Sequence, residues 1–100
     1  MKVAVASENK TAGSLVSDEG GRAPFYLIFE NGELVKILKN PFRVGGGGAG
    51  FAVAELLADE KVEFVVAGKI GGNMDGALDA KKIEHSEISG ISVAEAIQKI

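Results

Sequence analysis

The chain has 100 residues, of which 46% are hydrophobic and 25% are charged, and its formal net charge is −3. These values are typical of a globular protein, so we expect residues 1–100 to form one domain. The absence of cysteine excludes disulfides, thiolate metal sites and cysteine nucleophiles. The weak negative charge offers no basic surface for nucleic acid, and no apolar run is long enough for a secretory signal or a membrane span. We therefore expect a cytoplasmic protein that binds neither nucleic acid nor a membrane.

The first forty residues predict a strand, a long loop and a hairpin. A short apolar run at 3–6 predicts a buried strand, and the polar, glycine-containing stretch 7–23 predicts a loop. Asn31-Gly32 then separates two β-rich runs, which is the strongest short signal for a tight hairpin turn. We place the two strands of this hairpin at 25–30 and 33–39.

The remaining sequence alternates helix and strand signals. A stripe of apolar residues at helical spacing predicts a helix at 49–58, and the continuous apolar run at 63–68 predicts a parallel strand covered on both faces. Asn73 is a candidate N-cap for a helix that runs to about residue 80. Alternating apolar and polar residues at 83–88 indicate an edge strand.

The last helix has its own start signal. Ser92 is followed three residues later by Glu95, which is the spacing of a capping box. The predicted order is therefore strand, hairpin, helix, strand, helix, strand, helix, and its second half requires parallel strands with right-handed crossovers. The simplest α/β arrangement is a mixed five-stranded sheet of order 3-2-1-4-5, with strand 2 antiparallel and three flanking helices.

In an open sheet of this kind, ligands bind beyond the carboxyl ends of the parallel strands. Two glycine-rich segments, RVGGGGAG and GKIGGN, lie there and lead into helices, whose N-terminal amides attract anions. A dinucleotide fingerprint would follow the first strand, and these glycines do not, so a structural or flexible loop remains the alternative. The candidate ligand-binding residues are Arg22, Gly46, Gly47, Gly48, Lys69, Gly71, Gly72 and Asn73.

His85 is the single histidine and has two interpretations. It is either a partly buried residue of the edge strand or a metal ligand, since neutral imidazole is a common ligand. No carboxylate recurs at ligand spacing beside it, and we assign Asp75 and Asp79, four residues apart on a helix, to solvation and to the helix dipole. A hydrolytic triad would need His85 close to Ser7, and nothing in the sequence indicates this.

Three stretches together resemble the dinitrogenase iron–molybdenum cofactor biosynthesis family, of the NifX type that is also found at the C-terminus of NifB. They are GRAPFYLIFENGEL, GGGAGFAVAELLADEKVEFVVAGKIGGNMDGAL and ISGISVAEAI, and they span nearly the whole chain. The resemblance implies a ribonuclease H-like fold and a single NifX-like domain over residues 1–100. A nuclease of that fold would need acidic residues on the first strand, which VAVAS does not supply.

The resemblance also implies a non-enzymatic function, in which the protein binds and carries an iron–sulfur or iron–molybdenum cofactor precursor. In that interpretation the glycines pack a bare backbone against a bulky anion, Arg22 and Lys69 supply charge, and His85 is a ligand if it faces the same edge. The alternative is a regulatory or protein-interaction module that binds a small anion without metal, in which case a protein is a further partner.

Overall fold

The structure is a computed structural model that describes residues 1–44 and 48–100. Five strands and three helices follow one another in the order predicted from the sequence. The elements are β1 (Lys2–Ser7), β2 (Phe25–Glu30), β3 (Glu33–Lys39), α1 (Ala49–Asp59), β4 (Phe64–Ala67), α2 (Gly72–Ala80), β5 (Glu84–Glu87) and α3 (Val93–Gln98).

The strands form one mixed sheet of order β3-β2-β1-β4-β5, which confirms the predicted topology. β2 is antiparallel to both of its neighbours, whereas β1, β4 and β5 are parallel. β3 therefore runs in the same direction as β1, and the four strands other than β2 all end at the same edge. The strand order alone does not test the ribonuclease H-like assignment, which stays a prediction.

The β2–β3 hairpin has the turn chemistry that its sequence indicates. Asn31 and Gly32 both have positive φ, at 52° and 85°, which a tight hairpin turn requires. A β-bulge between Ile28 and Phe29 shifts the β2–β3 register, so that Val35 is an extra residue in the edge strand.

The sheet buries apolar side chains on both faces. α1 and α2 cover one face, where Leu57, Met74 and Leu78 pack with Tyr26 and Ile28 of the sheet. The short helix α3 covers part of the other face through Val93 and Ala96. Within residues 1–44 and 48–100, no helix is both long and apolar enough to cross a membrane.

The start of α2 differs from the prediction. Its N-cap is Gly71 rather than Asn73, because the amide of Asp75 already donates to the Gly71 carbonyl oxygen at 2.9 Å and so closes the first turn earlier. The capping box of α3 is confirmed: Ser92 Oγ accepts from the Glu95 amide, and Glu95 Oε1 accepts from the Ser92 amide. The predicted strand at 83–88 is shortened to β5, and the predicted helix at 49–58 extends to Asp59.

Candidate functional site

A pocket of about 550 Å³ opens at the carboxyl edge of the sheet, between the N-termini of α1 and α2. We call it the glycine-rich pocket. Its lining comes from three segments, which are the loop after β1, the start of α1, and the loop from β4 into α2. The lining residues are Glu19, Gly20, Gly21, Arg22, Gly48, Ala49, Gly50, Lys69, Gly71, Gly72, Asn73 and Met74.

Two buried polar side chains hold the first of these segments in place. The Tyr26 hydroxyl donates to the Gly20 carbonyl oxygen at 2.6 Å. The Asn40 amide group donates to the carbonyl oxygens of Gly21 and Ala23, at 3.1 and 2.9 Å. Because the ring of Tyr26 is fully buried in the core, desolvation raises the pKa of its phenol far above the ordinary value, and the hydroxyl stays a donor.

The loop that follows β4 is fixed from both sides. The Gly20 amide donates to the Lys69 carbonyl oxygen at 2.9 Å, which ties this loop to the first segment. On the other side, the Ile70 amide donates to Glu87 Oε2 at 2.7 Å, at the end of β5. The Glu87 carboxylate and the loop that contains Gly20 therefore fix the backbone of GKIGGN where it leads into α2.

Both helices that begin in the pocket lack a side-chain cap. The N-caps are Gly48 for α1 and Gly71 for α2, and within residues 1–44 and 48–100 neither helix start has a side-chain cap hydrogen bond. By contrast, α3 begins away from the pocket and has a complete capping box. Uncapped N-terminal amides and the positive end of the helix dipole together favour an anion.

Two pairs of pocket glycines have contrasting surroundings, whereas Gly48 differs from both in having a positive φ of 88°. A Cβ added to Gly20 would lie 2.9 Å from Met74 Sδ, and one added to Gly50 would lie 2.9 Å from the Met74 backbone nitrogen, so these glycines allow close packing. A Cβ added to Gly71 or Gly72 would meet no atom of another segment within 4 Å. Neither of these two residues has a positive φ. Close packing therefore explains Gly20 and Gly50, whereas neither close packing nor a positive φ requires glycine at 71 and 72.

The charged side chains of the pocket carry a small positive excess. Lys69 and Arg22 line it together with one carboxylate, Glu19. The Arg22 guanidinium donates to the Arg43 carbonyl oxygen at 3.4 Å and is thereby held beside the loop after β3. Lys69 is exposed at the mouth of the pocket. Two cations against one anion favour an anionic ligand.

Most of the residues that the sequence predicts for the site do lie together. Arg22, Gly48, Lys69, Gly71, Gly72 and Asn73 all line the glycine-rich pocket. The predicted Gly46 and Gly47 lie outside the described residues, and so does Gly45 beside them. Tyr26, Asn40 and Glu87 were not predicted, because their hydrogen bonds join segments that are far apart in the sequence.

His85 does not line the pocket. It lies on β5 beneath α2, and its Nε2 is 2.9 Å from Asp75 Oδ1 and 3.5 Å from Asp79 Oδ1. The prediction that no carboxylate stands at ligand spacing beside His85 is therefore wrong, because α2 places both aspartates over the neighbouring strand. Ser7 Oγ instead donates to the Asn9 carbonyl oxygen at 2.6 Å, so the structure gives no support to a Ser7–His85 pair.

The sheet order defines an α/β protein, and its glycine-rich pocket lies at the carboxyl edge of the parallel strands. The chain belongs to the dinitrogenase iron-molybdenum cofactor family, whose model matches residues 1–100. No protein of curated function matches it.

Several solved structures are similar over nearly the whole chain, among them these two. One is the apo form of the orange protein from Desulfovibrio gigas, with 25% identity and a TM-score of 0.92, covering 98% of this chain and 84% of that one. The other is a putative NifB protein from Thermotoga, of the DUF35 family, with 30% identity and a TM-score of 0.83, covering 97% and 84%.

Proposed function

We propose that the protein is a non-enzymatic carrier, and that the glycine-rich pocket binds an anionic iron–sulfur or iron–molybdenum cofactor precursor as its cargo. The family to which the chain belongs supports the choice of cargo. The pocket supports a binding function by itself, because two helix N-termini, Lys69 and Arg22 surround one cavity.

The observation that carries the proposal is the pair of glycines at the start of α2. Gly71 and Gly72 have room for a side chain and no positive φ, and both line the pocket. Glycine has an entropic cost on folding, so its use there needs a reason. A ligand that packs directly against the bare backbone supplies that reason.

The side chains present suit a cluster that brings its own ligands. Resident iron–sulfur clusters are generally held by cysteine thiolates, and this chain has no cysteine. The pocket instead offers amide N–H groups and two cations, which hold the sulfides and the negative charge of a cluster without bonds to the metal. Such binding is reversible, as transport of a cargo requires.

The test is anaerobic incubation with ferrous iron, sulfide and a small thiol, which supplies the ligands that the cluster must bring, followed by gel filtration. We expect visible absorption and iron and sulfide to remain with the protein. Gly71→Ala and Gly72→Ala should reduce this retention, because the added methyl groups occupy the cargo's position. Gly76→Ala is the matched control, since Gly76 lies on the same helix, also has open space, and does not line the pocket.

Equal retention by the Gly72→Ala and Gly76→Ala variants would place the cluster elsewhere and contradict the proposal. Failure of the wild-type protein to retain any iron and sulfide would contradict it as well. The second candidate function, a module for a small anion, rests on the same uncapped helix N-termini. It would be supported if inorganic phosphate bound to the wild-type protein and Gly72→Ala weakened that binding, with no cluster retained.

A further inference from the structure

We propose that Asp75, Asp79 and His85 form a binding site for one divalent transition-metal ion of the zinc type, separate from the glycine-rich pocket. The site lies between α2 and β5. It does not depend on the cargo proposed above, because none of its three residues lines that pocket.

The first support is the convergence of three donor atoms from two elements. One carboxylate oxygen each from Asp75 and Asp79 and one nitrogen of His85 all lie within 4.8 Å of one another. The His85 Nε2 is 2.9 and 3.5 Å from the two oxygens. Donors in a tetrahedral zinc site are roughly 3.3 Å apart, given metal–ligand bonds of about 2.0 Å. Small side-chain movements therefore suffice to admit the ion.

The arrangement follows from helix and strand geometry. Asp75 and Asp79 are four residues apart and so lie on one face of α2. β5 is parallel to β4 and places His85 opposite Val65, on the face of the sheet that α2 covers. The imidazole is about four-fifths buried, with 21% of the side chain exposed, and is therefore held in position better than a surface histidine.

The charges around the cluster favour a cation. Two carboxylates face a single imidazole, and the ion pairs that both aspartates make in the described chain are with His85. Lys81, the next basic residue along α2, pairs with Glu55 of α1 instead. One imidazole cannot neutralise two carboxylates, whereas a divalent ion can.

The donor set selects the kind of metal. One imidazole and two carboxylates suit zinc and its neighbours in the first transition row, whereas calcium and magnesium prefer oxygen donors alone. Asp79 is 71% exposed, so a fourth position is open to water. A ligating Nε2 uses its lone pair, so a bound metal ion would lie between Nε2 and the two carboxylates and replace their direct contacts.

The test is titration of the untagged, metal-free chain with zinc, followed by calorimetry, and with cobalt, followed by visible absorption. An untagged chain is needed because His85 is its single histidine. We expect one zinc per chain, cobalt absorption typical of a nitrogen- and oxygen-ligated site, and a higher melting temperature with zinc, since the metal binds only the folded state.

His85→Gln and Asp79→Asn should each weaken zinc binding at least about tenfold, since loss of even an outer-shell partner costs about 10–100-fold. Asp59→Asn, at the exposed end of α1, is the control and should bind zinc as the wild type does. Thermal unfolding of each variant in the presence of a chelator checks that the metal-free variant is folded. Because Asp79 is exposed, Asp79→Asn leaves the core intact. Absence of zinc binding, or equal binding by the wild type and either variant, would overturn the proposal.

Discussion

Gly50 and Met74 hold the N-termini of α1 and α2 against each other: a Cβ on Gly50 would lie 2.9 Å from both the backbone nitrogen and the Cβ of Met74. Both residues line the glycine-rich pocket. The contact brings the starts of α1 and α2 together, so that a change at Gly50 reaches both the fold and the pocket.

Gly50→Ala should lower the free energy of unfolding by about 1–3 kcal/mol, because the methyl group has no room beside Met74. Gly76→Ala, in α2, should have the opposite effect on stability. A Cβ at Gly76 meets nothing within 4 Å, and alanine in a helix interior should stabilise by about 0.5–1 kcal/mol. Denaturant unfolding of both variants measures the difference, and equal stability of the two would contradict the close packing at Gly50.

Tyr26→Phe removes the hydrogen bond to the Gly20 carbonyl oxygen and leaves a buried acceptor without its partner. We expect a loss of about 1–3 kcal/mol in the free energy of unfolding. Faster hydrogen exchange at the Gly20 amide should accompany the loss, because that hydrogen bond holds the segment that lines the pocket. Unchanged stability and exchange would show that Asn40 alone holds the segment.

The buried phenol also predicts a dependence of stability on pH. Burial raises the pKa of Tyr26 above its ordinary value of 10.0, so the unfolded chain loses this proton first as the pH rises. The stabilisation is therefore complete below pH 10.0 and falls above it. Tyr26 is the single tyrosine, so tyrosinate absorbance should appear together with alkaline unfolding. Ionisation of the folded protein near pH 10.0 would contradict the burial.

Gly32→Val should destabilise the β2–β3 hairpin by roughly 1–2 kcal/mol, because φ at residue 32 is 85° and a β-branched side chain resists that region. Gly32→Asn is the matched comparison, since asparagine tolerates positive φ and already occupies residue 31 at 52°. Thermal unfolding separates the two variants. A valine variant as stable as the asparagine variant would be inconsistent with the turn.

Ser92→Ala should cost about 1 kcal/mol by removing the acceptor for the Glu95 amide. Ser89→Ala, at an exposed residue before α3, is the control and should have little effect. Denaturant midpoints of the two variants give the comparison. If both variants were equally stable, the capping box would contribute nothing to α3.

Local chemistry explains which parts of the fold could be predicted. The Asn31-Gly32 turn and the Ser92–Glu95 capping box are each complete within four residues, and both occur as predicted. The strand order followed from chain connectivity and handedness. The prediction of Asn73 as the N-cap of α2 was wrong, because the capping preference of a residue type competes with the local path of the backbone. The first hydrogen bond of that helix is already accepted by the Gly71 carbonyl oxygen.

The lining residues of the pocket could be predicted only where they directly follow the end of a strand or precede the start of a helix. Residues in loops at the carboxyl edge, such as Lys69 and Gly71, could be placed because all parallel strands end there. The Asp75–His85 contact could not, since it depends on how α2 crosses β5. The supporting role of Glu87 was missed for the same reason, because its partner Ile70 is 17 residues away in the sequence.

If the glycine-rich pocket holds the cluster, as we propose, its iron should lie beside the starts of α1 and α2. The most direct measurement is the broadening of backbone amide NMR signals in protein reconstituted anaerobically with iron and sulfide, because signals near iron broaden most. We expect broadening at Gly48–Gly50 and Gly71–Asn73, at the starts of α1 and α2. Sharp signals at these residues, or broadening confined to the surroundings of His85, would contradict it.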